Sequence, residues 1–261
     1  MFIGASTANF YPALTEDALQ TLLAMGFREL EIFVNTESEI RPAYLRGLKE
    51  RVQAHGARVR ALHPYLSGIE PYLLFSAYER RYRDGLEIYA RLFEAAALLG
   101  ADFVVMHGDK AEGVLPVEDS VARYEGVYDA GRRFGVTLAQ ENVVRFRSSD
   151  NGYLRAMRRL LGKKAHFVFD IKQCRRCGHS PESVLAAMGD AVAHVHISDG
   201  DDRRDCLVPG QGREDFFRLF RLLRGQGFDG AVMLELYRSN FGKAEELAAG
   251  RRVLEQAADG V

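Results

Sequence analysis

The chain is poor in cysteine, nearly balanced in charge and free of long apolar runs, and each shortage closes off a class of protein. Three cysteines in 261 residues (Cys174, Cys177 and Cys206) are an odd number and too few to staple a fold with disulfides. With 35 Lys+Arg against 36 Asp+Glu, no basic surplus draws the chain to nucleic acid or to an anionic membrane surface. No apolar stretch approaches the ~20 residues that cross a bilayer. The opening residues, MFIGASTANF, lack the basic start and long apolar centre of a signal peptide, so the expected location is the cytoplasm. Linker-like and low-complexity stretches are absent as well.

What is present is a regular alternation of strand-like and helix-like patterns. Strands are expected at 2–6, 28–34, 57–63, 102–107, 136–141, 166–170, 191–197 and 231–237. Helices are expected at about 15–25, 42–55, 77–99, 117–134, 152–161, 181–188, 213–224 and 243–257. Thr15 reads as an N-cap and Gly26 as a stop for the first helix. Alternating strands and helices imply a parallel sheet, and eight such units in this length fit a closed (β/α)8 TIM barrel, a single domain over residues 1–261. The competing open, doubly wound sheet usually carries a Gly-rich phosphate loop after an early strand. Here GASTANF lacks that spacing.

Four potential metal ligands close four of the later strands. Glu141 ends VTLAQE, Asp170 ends HFVFD, His196 lies near the end of AVAHVHI, and Glu235 follows AVML. They are spaced 29, 26 and 39 residues apart, about one strand plus one covering helix each time. Buried charges at strand ends are costly unless they are paired or bind a cation. In a barrel the strand C-termini converge on one point, so these four are expected to form a ring of ligands. Three carboxylates and an imidazole suit one hard or borderline divalent ion, Mn²⁺ foremost, with Mg²⁺, Co²⁺ or Zn²⁺ as alternatives. The alternative is that each acid pairs with an Arg or Lys across the barrel mouth.

Side chains alternate along a strand, which places Ala139, Val168, His194 and Met233 one layer below the ring. His194 then reads as a layer-filling or hydrogen-bonding residue rather than a ligand. His63 and His107 also end strands and are candidates for a second metal or a substrate oxygen. Asn142, Lys172 and Gln173 flank the ligands and are candidate substrate contacts. Arg203, with Arg204 and Arg238, follows strands seven and eight, where barrels often bind phosphate. Glu31, within LEIF, either points into the barrel or pairs with a basic neighbour. Cys174-Arg-Arg-Cys177 has the spacing of half a zinc site, but no second CxxC or HxxxH pair completes it. The alternative is a loop that happens to carry thiols.

Taken together, LEIFVNTESE, ALHPY, VVMHGD, LAQENV, FVFDIKQ, HVHISD, LVPGQG and GFDGAVMLELY resemble the xylose-isomerase-like barrel superfamily. This is the sugar phosphate isomerase/epimerase group, related to the apurinic-endonuclease type. The resemblance implies a metal on Glu141, Asp170, His196 and Glu235, and a small sugar as substrate. It also implies proton transfer next to a carbonyl, with Glu141 and Glu235 as the catalytic pair; a homodimer is left open. The endonuclease branch is the competing reading. Its members carry a His three residues after the strand-six Asp and an Asp-x-His pair after strand seven, whereas this chain has Gln173 and no later His. A barrel that binds a sugar without turnover is a third reading.

Overall fold

Eight parallel strands close on themselves in chain order, the first pairing with the last, in a computed structural model that describes residues 1–261. The strands are β1 Phe2–Ser6, β2 Glu29–Phe33, β3 Arg58–His63, β4 Phe103–Met106, β5 Thr137–Glu141, β6 Phe167–Asp170, β7 Val192–Ile197 and β8 Ala231–Leu234. The covering helices are α1 Thr15–Ala24, α2 Pro42–Ala54, α4 Glu79–Leu99, α5 Val117–Arg132, α6 Asn151–Leu161, α8 Pro181–Met188, α9 Phe216–Gly225 and α10 Glu245–Asp259. Two short helices, α3 Glu70–Leu73 and α7 Ile171–Arg176, sit in the loops after β3 and β6. The expected (β/α)8 barrel is thus the observed fold. No helix is long and apolar enough to cross a membrane.

Local chemistry explains the departures from the expected boundaries. Thr15 does not cap α1; Leu14 holds that position, and the Thr15 hydroxyl lies 3.2 Å from Phe33 O and from a Glu39 carboxylate oxygen. The third covering helix starts at Glu79 rather than at 77, and α9 starts at Phe216 because the Asp215 side chain accepts from Arg218 N at 2.9 Å. The short α7 follows Asp170 directly. That carboxylate caps it by accepting from Gln173 N at 3.1 Å.

Most of the core lies between strands and helices, where 63 buried residues form one cluster. Inside the barrel only Ala61, Val105, Ala139 and Val168 form an apolar layer, because a narrow closed sheet leaves little interior volume. Met233 fills the space beside Gly4: a Cβ at Gly4 would run into the Met233 sulfur and the Glu29 carbonyl. Gly4→Ala is therefore expected to lower stability by about 1–3 kcal/mol through overpacking. Chemical denaturation checks this, and a midpoint equal to that of the parent would contradict the packing argument.

Candidate metal centre

The strand ends deliver their side chains to one spot. Donor atoms of Glu141, Asp170, His196 and Glu235 all lie within 4.8 Å of one another, and a second trio, His63, His107 and Glu141, meets the same limit. His196 Nδ1 is 3.1 Å from Glu235 Oε2, 3.4 Å from Glu141 Oε1 and 4.0 Å from Asp170 Oδ2. Glu141 joins the two groups, since its other oxygen is 3.0 Å from His107 Nε2 and 3.7 Å from His63 Nε2. Glu141, Asp170 and His196 are buried, whereas Glu235 and His107 keep 14% and 18% of their side chains exposed. Entry to the centre is therefore on the Glu235–His107 side.

Each ring member is held by contacts that leave a donor atom free. Asp170 spends one oxygen on capping α7, while its Oδ2 is buried and lacks a well-aligned hydrogen-bond donor. Glu141 Oε2 is in the same position. His196 is oriented from below, where its Nε2 lies 2.9 Å from Glu31 Oε2. A carboxylate accepts, so this contact keeps a proton on Nε2 and leaves Nδ1, turned toward the ring, as the nitrogen a cation would take once the proton on it is displaced. His194 Nε2 meets the same Glu31 oxygen at 3.0 Å, one layer deeper. Glu235 emerges between Leu234 and Leu236, and both are pinned by the buried Asn9: its amide donates to Leu234 O at 3.1 Å and accepts from Leu236 N at 2.6 Å. These incompletely satisfied oxygens and the imidazole form a donor set that fits a divalent cation.

The surrounding groups take varied places. Lys172 lies inside the ring, its ammonium 3.2 Å from Asp170 Oδ2 and 3.3 Å from Glu235 Oε2. The alternative reading, in which each acid pairs with an Arg or Lys across the mouth, is met only by Lys172, which reaches Asp170 and Glu235 and leaves Glu141 without such a partner. Asn142, a candidate substrate contact in the sequence, is engaged elsewhere. Its amide donates to Asp170 O at 3.0 Å and accepts from Asp170 N at 2.7 Å, splicing β5 to β6. Gln173 is likewise turned to the backbone, accepting from Val144 N at 3.2 Å. Arg203 is exposed on the loop after β7, lining an open cleft with Arg175, Arg176 and Arg204 outside the ring. The three cysteines are free thiols, and none joins a ligand cluster. Burial pushes the Cys174 thiol well up, and it donates to Asp170 O at 3.3 Å, so the half-zinc-site reading finds no support.

Several positioning residues were not singled out in the sequence. Glu70, on α3, is buried and accepts from the backbone N–H of His107 and Gly108 at 3.0 and 2.7 Å. At the same turn Gly108 has φ +85°, and a Cβ there would strike the Gln140 amide. Asn9 acts in the same way on β8. The only trace of them in the sequence is a polar residue beside a strand end, which is too common to single out.

The electrostatics follow from crowding. Burial, with Glu141 and Glu235 alongside, pushes Asp170 up to about 7 against the pull of Lys172. Burial also opposes the charged form of Glu235, yet Lys172 and His196 hold it down at about 2. Burial lowers His196, but Glu31 and Glu235 outweigh it and raise the imidazole well above its usual range.

The chain belongs to the xylose isomerase-like TIM barrel family, whose pattern matches residues 19–257. An uncharacterized protein of Mycobacterium leprae is 28% identical over 94% of this chain and 91% of its own length. An inosose isomerase of Bacillus licheniformis is 27% identical over 64% of this chain and 66% of its own. Among solved structures, D-psicose 3-epimerase from Clostridium cellulolyticum, crystallised with D-tagatose, aligns with a TM-score of 0.82 and 16% identity over 99% of both chains. That likeness shows the shared barrel.

Two outcomes follow for the centre. A cation must displace protons from Asp170 and His196, so Mn²⁺ affinity should rise as pH increases through about 7, with more proton release at pH 6 than at pH 8. Calorimetry in buffers of different ionisation enthalpy measures this, and pH-independent affinity would contradict it. Glu31→Gln weakens the hold on the His196 ring and should reduce Mn²⁺ affinity about 10–100-fold.

Proposed function

We propose that the protein is a divalent-metal-dependent isomerase or epimerase acting on a sugar or sugar phosphate. The reading is supported above all by one observation: two carboxylates, Glu141 and Glu235, approach the same His196 nitrogen, at 3.4 and 3.1 Å, within one potential ligand group. The inosose isomerase relative and the epimerase-like barrel are in keeping with it.

A divalent ion held by Glu141, Asp170, His196 and Glu235 would polarise a carbonyl and stabilise the negative charge left when the neighbouring C–H proton departs. The chain's own residues do the rest. Glu235 is ionised and partly open to the mouth, so its carboxylate is the group placed to take the proton. Glu141 is the second carboxylate: against its burial, His107 at 3.0 Å helps hold it ionised. The proton delivered on that side therefore comes from the His107 imidazolium through Glu141, while the abstracted proton leaves Glu235 to water at the mouth. Return to the same carbon from the opposite face inverts a centre; return to the adjacent carbon exchanges ketose and aldose. His63 and His107, whose Nε2 atoms are 3.3 Å apart, form the wall nearest Glu141 and are placed to bond a substrate hydroxyl. The buried apolar layer of Ala61, Val105, Ala139 and Val168 keeps water from reaching the centre from beneath.

Proton exchange of candidate ketoses in D₂O by the Mn²⁺-loaded protein tests this. Glu235→Gln and Glu141→Gln should each reduce exchange about 10²–10⁴-fold while leaving the fold intact. Full exchange in either variant would remove that residue from the proton-moving pair. A full metal site with no exchange on a broad sugar panel would favour a binding barrel. The trio His63, His107 and Glu141 favours one other reading, a multinuclear endonuclease of the apurinic type. Cleavage of abasic DNA that disappears in His63→Ala and His107→Ala would establish it in place of the isomerase.

A further inference from the structure

Lys172 stands apart among the groups at the centre because it is the only permanently cationic side chain there, and it is almost wholly buried. Its ammonium is shared between Asp170 Oδ2 at 3.2 Å and Glu235 Oε2 at 3.3 Å. Both carboxylates belong to the ligand group, and Asp170 Oδ2 has no well-aligned donor. The placement is built in by the chain. Asp170 caps α7, and Lys172 is the second residue of that helix, so its side chain folds back over the carboxylate two positions earlier. The same ammonium lies 5.2 Å from the Tyr237 ring centroid, and Tyr237 is exposed at the mouth.

We propose that Lys172 is a resident cation of the ring, holding the two carboxylate oxygens that a divalent ion would take, so that metal binding is an exchange of one cation for another. The inference rests on the metal reading above and deepens it. Without metal, three buried carboxylates repel one another, and Lys172 offsets part of that repulsion so that the ring stays assembled. When a divalent ion arrives, the ammonium and the ion are like charges a few ångströms apart and cannot share the same oxygens. The ammonium then withdraws toward water at the mouth along the edge of Tyr237, whose ring it already approaches and whose hydroxyl and face are shared with Arg176. Metal affinity is consequently set lower than the four donors alone would give, and the metal exchanges readily.

Mn²⁺ binding by calorimetry and thermal unfolding with and without Mn²⁺ test this in Lys172→Met and Lys172→Arg. The Met variant, which keeps the length and loses the charge, should bind Mn²⁺ about tenfold tighter or more. Its metal-free form should melt below the metal-free parent, while the loaded forms melt together. The Arg variant should bind within about threefold of the parent, because the charge is kept. Unchanged or weaker Mn²⁺ binding by the Met variant overturns the inference. So does an equal loss of melting temperature with and without metal, which marks Lys172 as a packing residue only. Should the variants fail to fold, ¹⁵N-lysine spectra of the parent, which has six lysines, supply the readout. The Lys172 ammonium signal should shift on Mg²⁺ addition, and a stationary signal overturns the proposal. A parent that binds no divalent ion at all sinks the metal reading itself, an outcome distinct from a metal-binding parent with an indifferent Met variant.

Discussion

Four carboxylates, Glu31, Glu141, Asp170 and Glu235, crowd into the C-terminal end of one narrow barrel, and their mutual repulsion is the constraint to which the neighbouring residues answer. Glu31 sits against two imidazoles, Glu141 against three, and Asp170 and Glu235 against a lysine. Each pairing is partial: one oxygen of Glu31, Glu141 and Asp170 is buried without an aligned donor. Buried charge held in that incomplete way is a poor device for stability and a good one for gripping a cation.

The backbone around the ring is organised for the same end. Asn9, Glu70 and Asn142 each spend their polar groups on main-chain atoms beside a ring residue or the His107 turn. Such contacts fix the strand ends more tightly than parallel pairing alone, which runs out where the strands diverge into loops. The Glu31–His196 contact carries that fixing one step further, choosing which imidazole nitrogen faces the ring. Beneath it, His194 occupies a level that Ala139 and Val168 fill elsewhere, so the floor under His196 is polar while the rest is apolar.

Much of this was legible along the chain. The alternation of apolar strands with amphipathic helices is a local property, and it pointed to the (β/α)8 barrel. The four ligand candidates were visible because each closes an apolar run, and the strand parity that put His194 below His196 follows from the two-residue period of a strand. Less legible were α3 and α7, which are too short to leave a periodic signal, and the Thr15 position, where the hydroxyl found a partner on β2. Asn142 and Gln173 read as substrate contacts from their proximity to ligands in sequence, yet their amides face backbone atoms.

What the amino-acid order determined by itself is therefore the set of elements, the fold they close into, and the residue types delivered to the strand ends. The tertiary structure decided which of those residues meet. Glu31 and His196 lie 165 positions apart, Lys172 and Glu235 lie 63 apart, and nothing in either neighbourhood marks the other as its partner. Closure of the barrel brings them within hydrogen-bond distance, because strands distant in sequence share one axis and one end. A pattern with a period of two or 3.6 residues can specify which way a side chain points. Only the closed sheet specifies what it points at.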